Sequence, residues 1–169
     1  MNAADFQALL PVLILAGGAT FIMLQIAFKR SIALTSAMTL LTFLAAAISC
    51  FWAADVAPKM VTPLLKADHM ALLFCAVFTL AGFVTTVLSV DYMEQRGDEP
   101  EEYFLLLLLS TMGACVLAYS THLVSLLLGM ELLSVALYAL IAYPDKSILP
   151  LEAAIKYLVL SGAASATML

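Results

Sequence analysis

The chain has 169 residues, of which 64% are hydrophobic and 11% are charged, and its mean hydropathy is +1.08. A soluble domain carries about 25% charged residues, so this composition excludes an ordinary soluble protein and predicts an integral membrane protein. The net charge of −5 comes mostly from residues 91–102. The sequence has no basic patch that would indicate binding to nucleic acid.

Apolar runs long enough to cross a bilayer, about 20 residues each, occur at roughly residues 6–28, 32–54, 69–90, 103–119, 123–143 and 151–169. The first run is too long for the core of a signal peptide, has Asp5 before it and no basic lead-in, so we expect a retained helix. None of the runs shows the alternation of a membrane barrel strand. The sequence therefore predicts an all-α polytopic transmembrane bundle of about six spanning helices, occupying residues 1–169 as one domain.

The connections between these runs differ in length and polarity. Residues 55–68, with Pro58 and Pro63, are expected to form a loop that Asp68 ends as a helix cap. Residues 91–102 are expected to form a solvent loop, whereas residues 120–122 are short enough for a tight antiparallel hairpin. The lysine and arginine residues of the connections predict an amino terminus on the outside, because the side with more of them faces the cytoplasm. One side holds four, Lys29, Arg30, Arg96 and Lys146, and the side of the amino terminus holds two, Lys59 and Lys66.

Three cysteines, Cys50, Cys75 and Cys115, stand singly inside apolar runs without C-x-x-C spacing. This pattern is typical of small core residues and not of metal ligands or disulfides. The sequence has no iron–sulfur, haem or flavin motif. We therefore expect no redox cofactor in this chain.

An acid, Glu131, lies near the middle of the apolar stretch at residues 121–143. An ionisable residue inside a span is costly and is a candidate functional residue. Ser134 and Tyr138, at i+3 and i+7, fall on the same helical face, so we expect this polar stripe to face protein. A buried carboxyl group exchanges its proton when a neighbouring cation moves, which predicts a proton switch. The alternative is a protonated glutamate that only packs against another helix.

Three further residues are candidate parts of a proton path. His122 lies nine residues before Glu131, on the opposite helical face, where a capping or interfacial role is favoured over one in proton transfer. Lys156 lies inside the sixth run, four residues after Glu152, which is a favourable spacing for a local ion pair. Lys156 is either the partner of Glu152 or a proton relay, and the spacing leaves both open.

The segments LLLGMELLSVALYAL and LEAAIKYLVLSGAASA, in this order and spacing, resemble the antiporter-like proton-translocating subunits of respiratory complex I, the NADH–quinone oxidoreductase. Within that family the subunit N branch, equivalent to mitochondrial ND2, is most similar. The resemblance extends to ALLPVLI, VTPLLKADHMALL, EEYFLLLLLSTMGA and STHLVSLLLG. It therefore covers most of the chain, and its most specific part is in the fifth and sixth spans.

The resemblance implies a fold of about fourteen helices with two inverted repeats, of which this chain would be the amino-terminal part without the second repeat. Glu131 matches the family's glutamate of the fifth span and Lys156 the lysine of the sixth. It further implies proton translocation coupled to quinone reduction in a bacterial inner membrane. NADH, FMN, iron–sulfur clusters and quinone would then bind to partner subunits, and the chain would assemble with other membrane-arm subunits as a hetero-oligomer.

Two other classes of function stay open at this point. One is a subunit of a multisubunit cation/proton antiporter or of a membrane-bound hydrogenase, which would share the glutamate and the lysine. The other is a membrane fragment without transport activity, in which the charges only orient helices.

Overall fold

The computed structural model describes residues 2–96, 100–143 and 148–168. Its elements in chain order are α1 (Ala3–Ala8), α2 (Leu10–Phe28), α3 (Ile32–Ala54), β1 (Lys59–Thr62), β2 (Leu65–Ala67), α4 (His69–Arg96), α5 (Glu101–Tyr119), α6 (Leu123–Ala142) and α7 (Ile148–Met168). In the described part of the chain, the six helices α2 to α7 are long and apolar enough to cross a membrane. The predicted all-α transmembrane class is confirmed, with one small β-hairpin added.

The polar connection before α5 differs from the sequence prediction. We expected a solvent loop from Asp91, but α4 continues through Arg96, so the prediction was wrong for residues 91–96. These residues include good helix formers and no glycine or proline, so polarity alone does not end the helix. Residues 97–99 of the predicted loop lie outside the described residues.

The amino-terminal apolar run is divided at Leu9 into α1 and α2. Pro11 occupies the first turn of α2, where its missing N–H costs no intrahelical hydrogen bond. Pro150 lies in the first turn of α7 for the same reason. Both prolines therefore mark helix starts and not kinks.

The hairpin of β1 and β2 lies where a plain loop was expected. The strands are antiparallel, pairing Lys59 with Ala67 and Thr62 with Leu65. Thr62 Oγ1 accepts hydrogen bonds from the N–H groups of Leu64, at 3.3 Å, and Leu65, at 3.1 Å. Leu64 O in turn accepts from the Thr121 N–H at 3.0 Å, which ties the hairpin to the turn between α5 and α6.

The centre of the bundle is formed mainly by α3, α4 and α5. Phe43, Cys75, Leu108 and Cys115 are fully buried there, and Cys50 is 5% exposed. All three cysteines are free thiols. Buried threonines in the same helices donate to backbone carbonyls of the preceding turn, at 2.8 to 2.9 Å for Thr39, Thr79 and Thr86, so their burial leaves no unpaired hydroxyl group.

Two glycines allow α5 and α6 to cross closely. A Cβ atom placed on Gly113 would lie 2.5 Å from the backbone nitrogen of Leu133, and one on Gly129 would lie 2.9 Å from that of Leu117. Such contacts between helix backbones are possible only with the smallest residues. The crossing fixes the position of α6 just before Glu131.

Candidate functional site

A polar seam runs between α6 and α7. Its members face each other in antiparallel order and are Glu131, Ser134 and Tyr138 on α6, and Ser165, Ser161 and Tyr157 on α7. Positions 157, 161 and 165 are one helical turn apart, so they form one face of α7. The stripe that the sequence predicts on α6 therefore faces protein, and the protein it faces is α7.

Glu131 is half-buried and accepts a hydrogen bond at Oε1 from the Ser165 hydroxyl group. Ser165 is also half-buried. A hydroxyl group that donates to a carboxylate favours its charged form over its neutral form. The contact thus gives the Glu131 carboxylate a hydrogen-bond donor from the neighbouring helix. Glu131 lies about 12 Å along α6 from its first residue, Leu123, at 1.5 Å per residue.

The second pair of the seam leads away from Glu131. The Ser161 hydroxyl donates to Ser134 Oγ at 3.3 Å, and the Ser134 hydroxyl donates to Met130 O at 2.7 Å. A backbone carbonyl has no proton to pass on. This pair therefore stabilises the helix contact and does not form a proton wire to Glu131.

The third pair is an aromatic contact. The rings of Tyr138 and Tyr157 meet edge to face, with centroids 5.2 Å apart, which is a favourable geometry for two aromatic rings. Tyr138, which we expected in the polar stripe, therefore packs at the end of the seam nearer the start of α7.

Lys156 lies on a different face of α7. Its ammonium group is 2.6 Å from Glu152 Oε1, and the two side chains are 70% and 52% exposed. Nine residues separate Lys156 from Ser165, which places them about 180° apart around the helix and about 13.5 Å apart along it. The structure therefore brings Lys156 to Glu152 and not to Glu131.

His122 caps the start of α6. Its Nδ1 accepts a hydrogen bond from the Val124 N–H at 3.2 Å, and its carbonyl accepts one from the Ser125 hydroxyl at 2.8 Å. The side chain is exposed. The local geometry thus assigns His122 a capping contact at the membrane end that carries the β-hairpin.

Two carboxyl groups outside the spans have shifted pKa values, and both are at that end. Lys59 Nζ lies 2.7 Å from Asp5 Oδ1 and holds the pKa of Asp5 below its ordinary value. The Ala71 N–H donates to Asp68 Oδ1 at 2.8 Å, and this bond, with a smaller effect of Lys66, lowers the pKa of Asp68. Asp68 thus caps α4 as the sequence predicts.

Comparison with known proteins shows what the whole chain is similar to. A family profile described as "NADH:quinone oxidoreductase/Mrp antiporter, TM" matches residues 120–169. The chain is 44% identical, over all 169 of its residues, to the NADH-quinone oxidoreductase subunit N of Methylococcus capsulatus (strain ATCC 33009 / NCIMB 11132 / Bath). The chain is thus similar to a subunit N over its whole length. Its fold also matches a chain in the structure titled "Respiratory complex I from Thermus thermophilus with bound Aureothin", with a TM-score of 0.79 and 26% identity over 92% of this chain.

The subunit N resemblance expected from the sequence is therefore confirmed. The chain spans about a third of the length of its relatives, 34% of the Methylococcus protein and 34% of the Thermus chain. The segment matched by the family profile contains the whole seam, because α6 and α7 both fall within residues 120–169.

Three residues of the seam were not predicted as site residues: Tyr157, Ser161 and Ser165. On α7, the sequence analysis named only Glu152 and Lys156 as candidate site residues. The spacing of the three residues, four apart on one face of an apolar helix, was the available signal. Gly162 does not follow this spacing, and in the structure an added Cβ atom there would meet nothing within 4 Å.

The described residues contain no group of three or more His, Cys, Asp or Glu side chains placed to hold a metal ion. The chemistry that the seam itself offers is the binding and release of a proton at Glu131, with Ser165 as its hydrogen-bond donor.

Proposed function

We propose that this chain contributes to proton translocation as a membrane subunit of NADH–quinone oxidoreductase, with Glu131 as the group that exchanges the proton. The observation that carries the proposal is the placement of Glu131, in the middle of a span and hydrogen-bonded across the seam to α7. An ionisable group in such a position costs free energy, and residues of this kind are therefore functional candidates by default. The 44% sequence identity to a subunit N over the whole chain supports the same function.

The proposed mechanism is electrostatic. Quinone reduction in partner subunits, which would hold NADH, FMN, iron–sulfur clusters and quinone, displaces charges along the membrane arm. A cation that approaches Glu131 favours its charged form, and one that withdraws favours proton uptake. Alternation between these states, with access to a different side in each, moves protons across the membrane.

Lys156 remains a candidate for the same path, together with His122, Ser134, Tyr138 and Glu152 in supporting roles. Lys156 pairs with Glu152 and lies on the face of α7 opposite Ser165, the residue that contacts Glu131. Lys156 would therefore act on Glu131 indirectly. The role of Lys156 is therefore decided by a separate experiment, described in the Discussion.

We also propose a bacterial inner membrane as the location, with the β-hairpin end outside. Lys29 and Arg30 lie at the opposite end of the bundle, where Arg30 forms a 2.9 Å ion pair with Glu102. The hairpin end carries Lys59 and Lys66, which pair with Asp5 and Asp68. The sequence places four lysine and arginine residues on the opposite side against these two. The positive-inside rule counts basic residues and therefore supports this orientation.

The test is Glu131→Gln in the complete protein assembled in its native membrane, with proton uptake by inverted vesicles as the readout. We expect pumping to be lost while the complex still assembles, because glutamine keeps the size and polarity of the side chain but not its charge. Glu94→Gln, at an exposed position near the end of α4, is the matched control. Pumping that is unchanged in Glu131→Gln would refute the assignment.

A cation/proton antiporter subunit is the second candidate, because the description of the matching family profile names the Mrp antiporter as well. Purification of the protein with its native partners separates the two. Flavin and iron–sulfur chains in the purified assembly would support the oxidoreductase, whereas an assembly without them that exchanges a metal cation for protons would support the antiporter.

A further inference from the structure

Ser165 differs from the other seam residues of α7, because its hydroxyl group donates a hydrogen bond to a carboxylate oxygen of Glu131 on α6. We propose that Ser165 is a positioning residue that holds Glu131 in its charged form through this hydrogen bond. The proposal rests on the proposed function and extends it to the element that controls the acid.

The direction of the hydrogen bonds singles out Ser165. Ser161 is on the same face of α7, one turn earlier, but donates to Ser134. The Ser134 hydroxyl itself donates a hydrogen bond to the Met130 carbonyl. Among the described seam residues, only Ser165 therefore donates to Glu131.

The contact lies within a continuous interface of α7 with α6. Ser165 and Glu131 are both half-buried. Ser161 and Tyr157, on the same face of α7, also contact α6.

The expected size of the effect follows from the general strength of such hydrogen bonds. Loss of a donor to a charged group removes about 1.5 kcal/mol of stabilisation of the charged form, which corresponds to about a tenfold change in proton binding. Removal of the Ser165 hydroxyl group should therefore make proton binding at Glu131 about tenfold tighter.

The experiment is infrared difference spectroscopy on the complete protein in native membranes as the pH is varied. The carboxylic acid band that disappears in Glu131→Gln is assigned to Glu131, and the pH at which half of it is present is measured in each variant. In Ser165→Ala we expect this midpoint to rise by about one pH unit. Ser165→Thr, which keeps a hydroxyl, is expected to restore it, and Ser165→Cys, with a weaker donor, to give an intermediate value.

Ser161→Ala is the matched control, because it removes a hydroxyl group from the same face of α7 without touching Glu131. An unchanged midpoint in Ser165→Ala, or an equal rise in Ser161→Ala, would overturn the proposal, since either result would show that the donor at position 165 does not control the acid. The proposed function is judged separately by pumping in Glu131→Gln. If that variant pumps normally, Glu131 is not the exchanging group, while the midpoints still decide whether Ser165 sets its charge.

Discussion

Replacing Gly113 by alanine tests the close crossing of α5 and α6 that positions Glu131. The new Cβ atom would lie 2.5 Å from Leu133 N and 2.9 Å from Leu133 Cα, whereas ordinary contact begins at 3.4 Å. Both atoms belong to the backbone of α6 and have no rotamer by which to move aside. The two helices would therefore have to separate by about 0.9 Å, the difference between 3.4 and 2.5 Å.

The expected loss of stability follows from two opposing effects. Overpacking of a tight interface costs about 1–3 kcal/mol, whereas alanine in place of glycine inside a helix gains about 0.5–1 kcal/mol. The net effect of Gly113→Ala is a destabilisation of about 1–2 kcal/mol. Gly17→Ala is the matched control, because an added Cβ atom at this position meets nothing within 4 Å, and this variant should be neutral or stabilised.

The buried thiols provide the assay. Cys50, Cys75 and Cys115 are free and buried, so a thiol-reactive fluorescent dye labels them only as the bundle unfolds on heating. The two variants share the gain from alanine and differ by the overpacking cost of about 1–3 kcal/mol. With about 2–4 °C of melting temperature for each kcal/mol, Gly113→Ala should melt roughly 2–12 °C below Gly17→Ala. Equal melting temperatures for these two variants would contradict the close crossing and the packing argument built on it.

Two other predictions concern charged groups. Asp68 has a lowered pKa, so its contribution to stability is full above its ordinary pKa and is lost as the pH falls through the lowered value. Asp68→Asn should therefore flatten the dependence of the unfolding free energy on acid pH. Asp68→Ala should in addition lose about 1 kcal/mol of helix capping at neutral pH. A double-mutant cycle of Glu152→Ala and Lys156→Ala should show a coupling of about 0.3–0.5 kcal/mol with pumping intact in both single variants. Loss of pumping in Lys156→Ala without such coupling would instead place Lys156 on the proton path.

The sequence predicted much of α6 because the relevant signals are local. Hydropathy marked the span, and the 100° rotation per residue placed Glu131, Ser134 and Tyr138 on one face. The roles of Glu131 and Lys156 stay predictions, since their contacts show what each side chain touches and not whether it carries a proton. The local pairing of Lys156 with Glu152 was one of two arrangements that the spacing permitted.

The polar connections were harder to predict than the spans. Residues 91–96 are polar but helical, because helix propensity and solvation both permit a helix to continue beyond the hydrocarbon. The strands β1 and β2 are only four and three residues long. Their pairing depends on contacts with residues far away in sequence, such as the Thr121 N–H bonded to Leu64 O.

The sequence by itself determined the membrane class, the number of spans and the presence of an acid in the fifth span, since each depends on the composition of one continuous segment. Only the tertiary structure decided that Ser165, and neither Ser161 nor Lys156, meets Glu131. The physical reason is that this contact depends on the register and rotation of α7 against α6. Those two quantities are set by packing along the whole interface, including the ring contact of Tyr138 with Tyr157, and no single residue type encodes them.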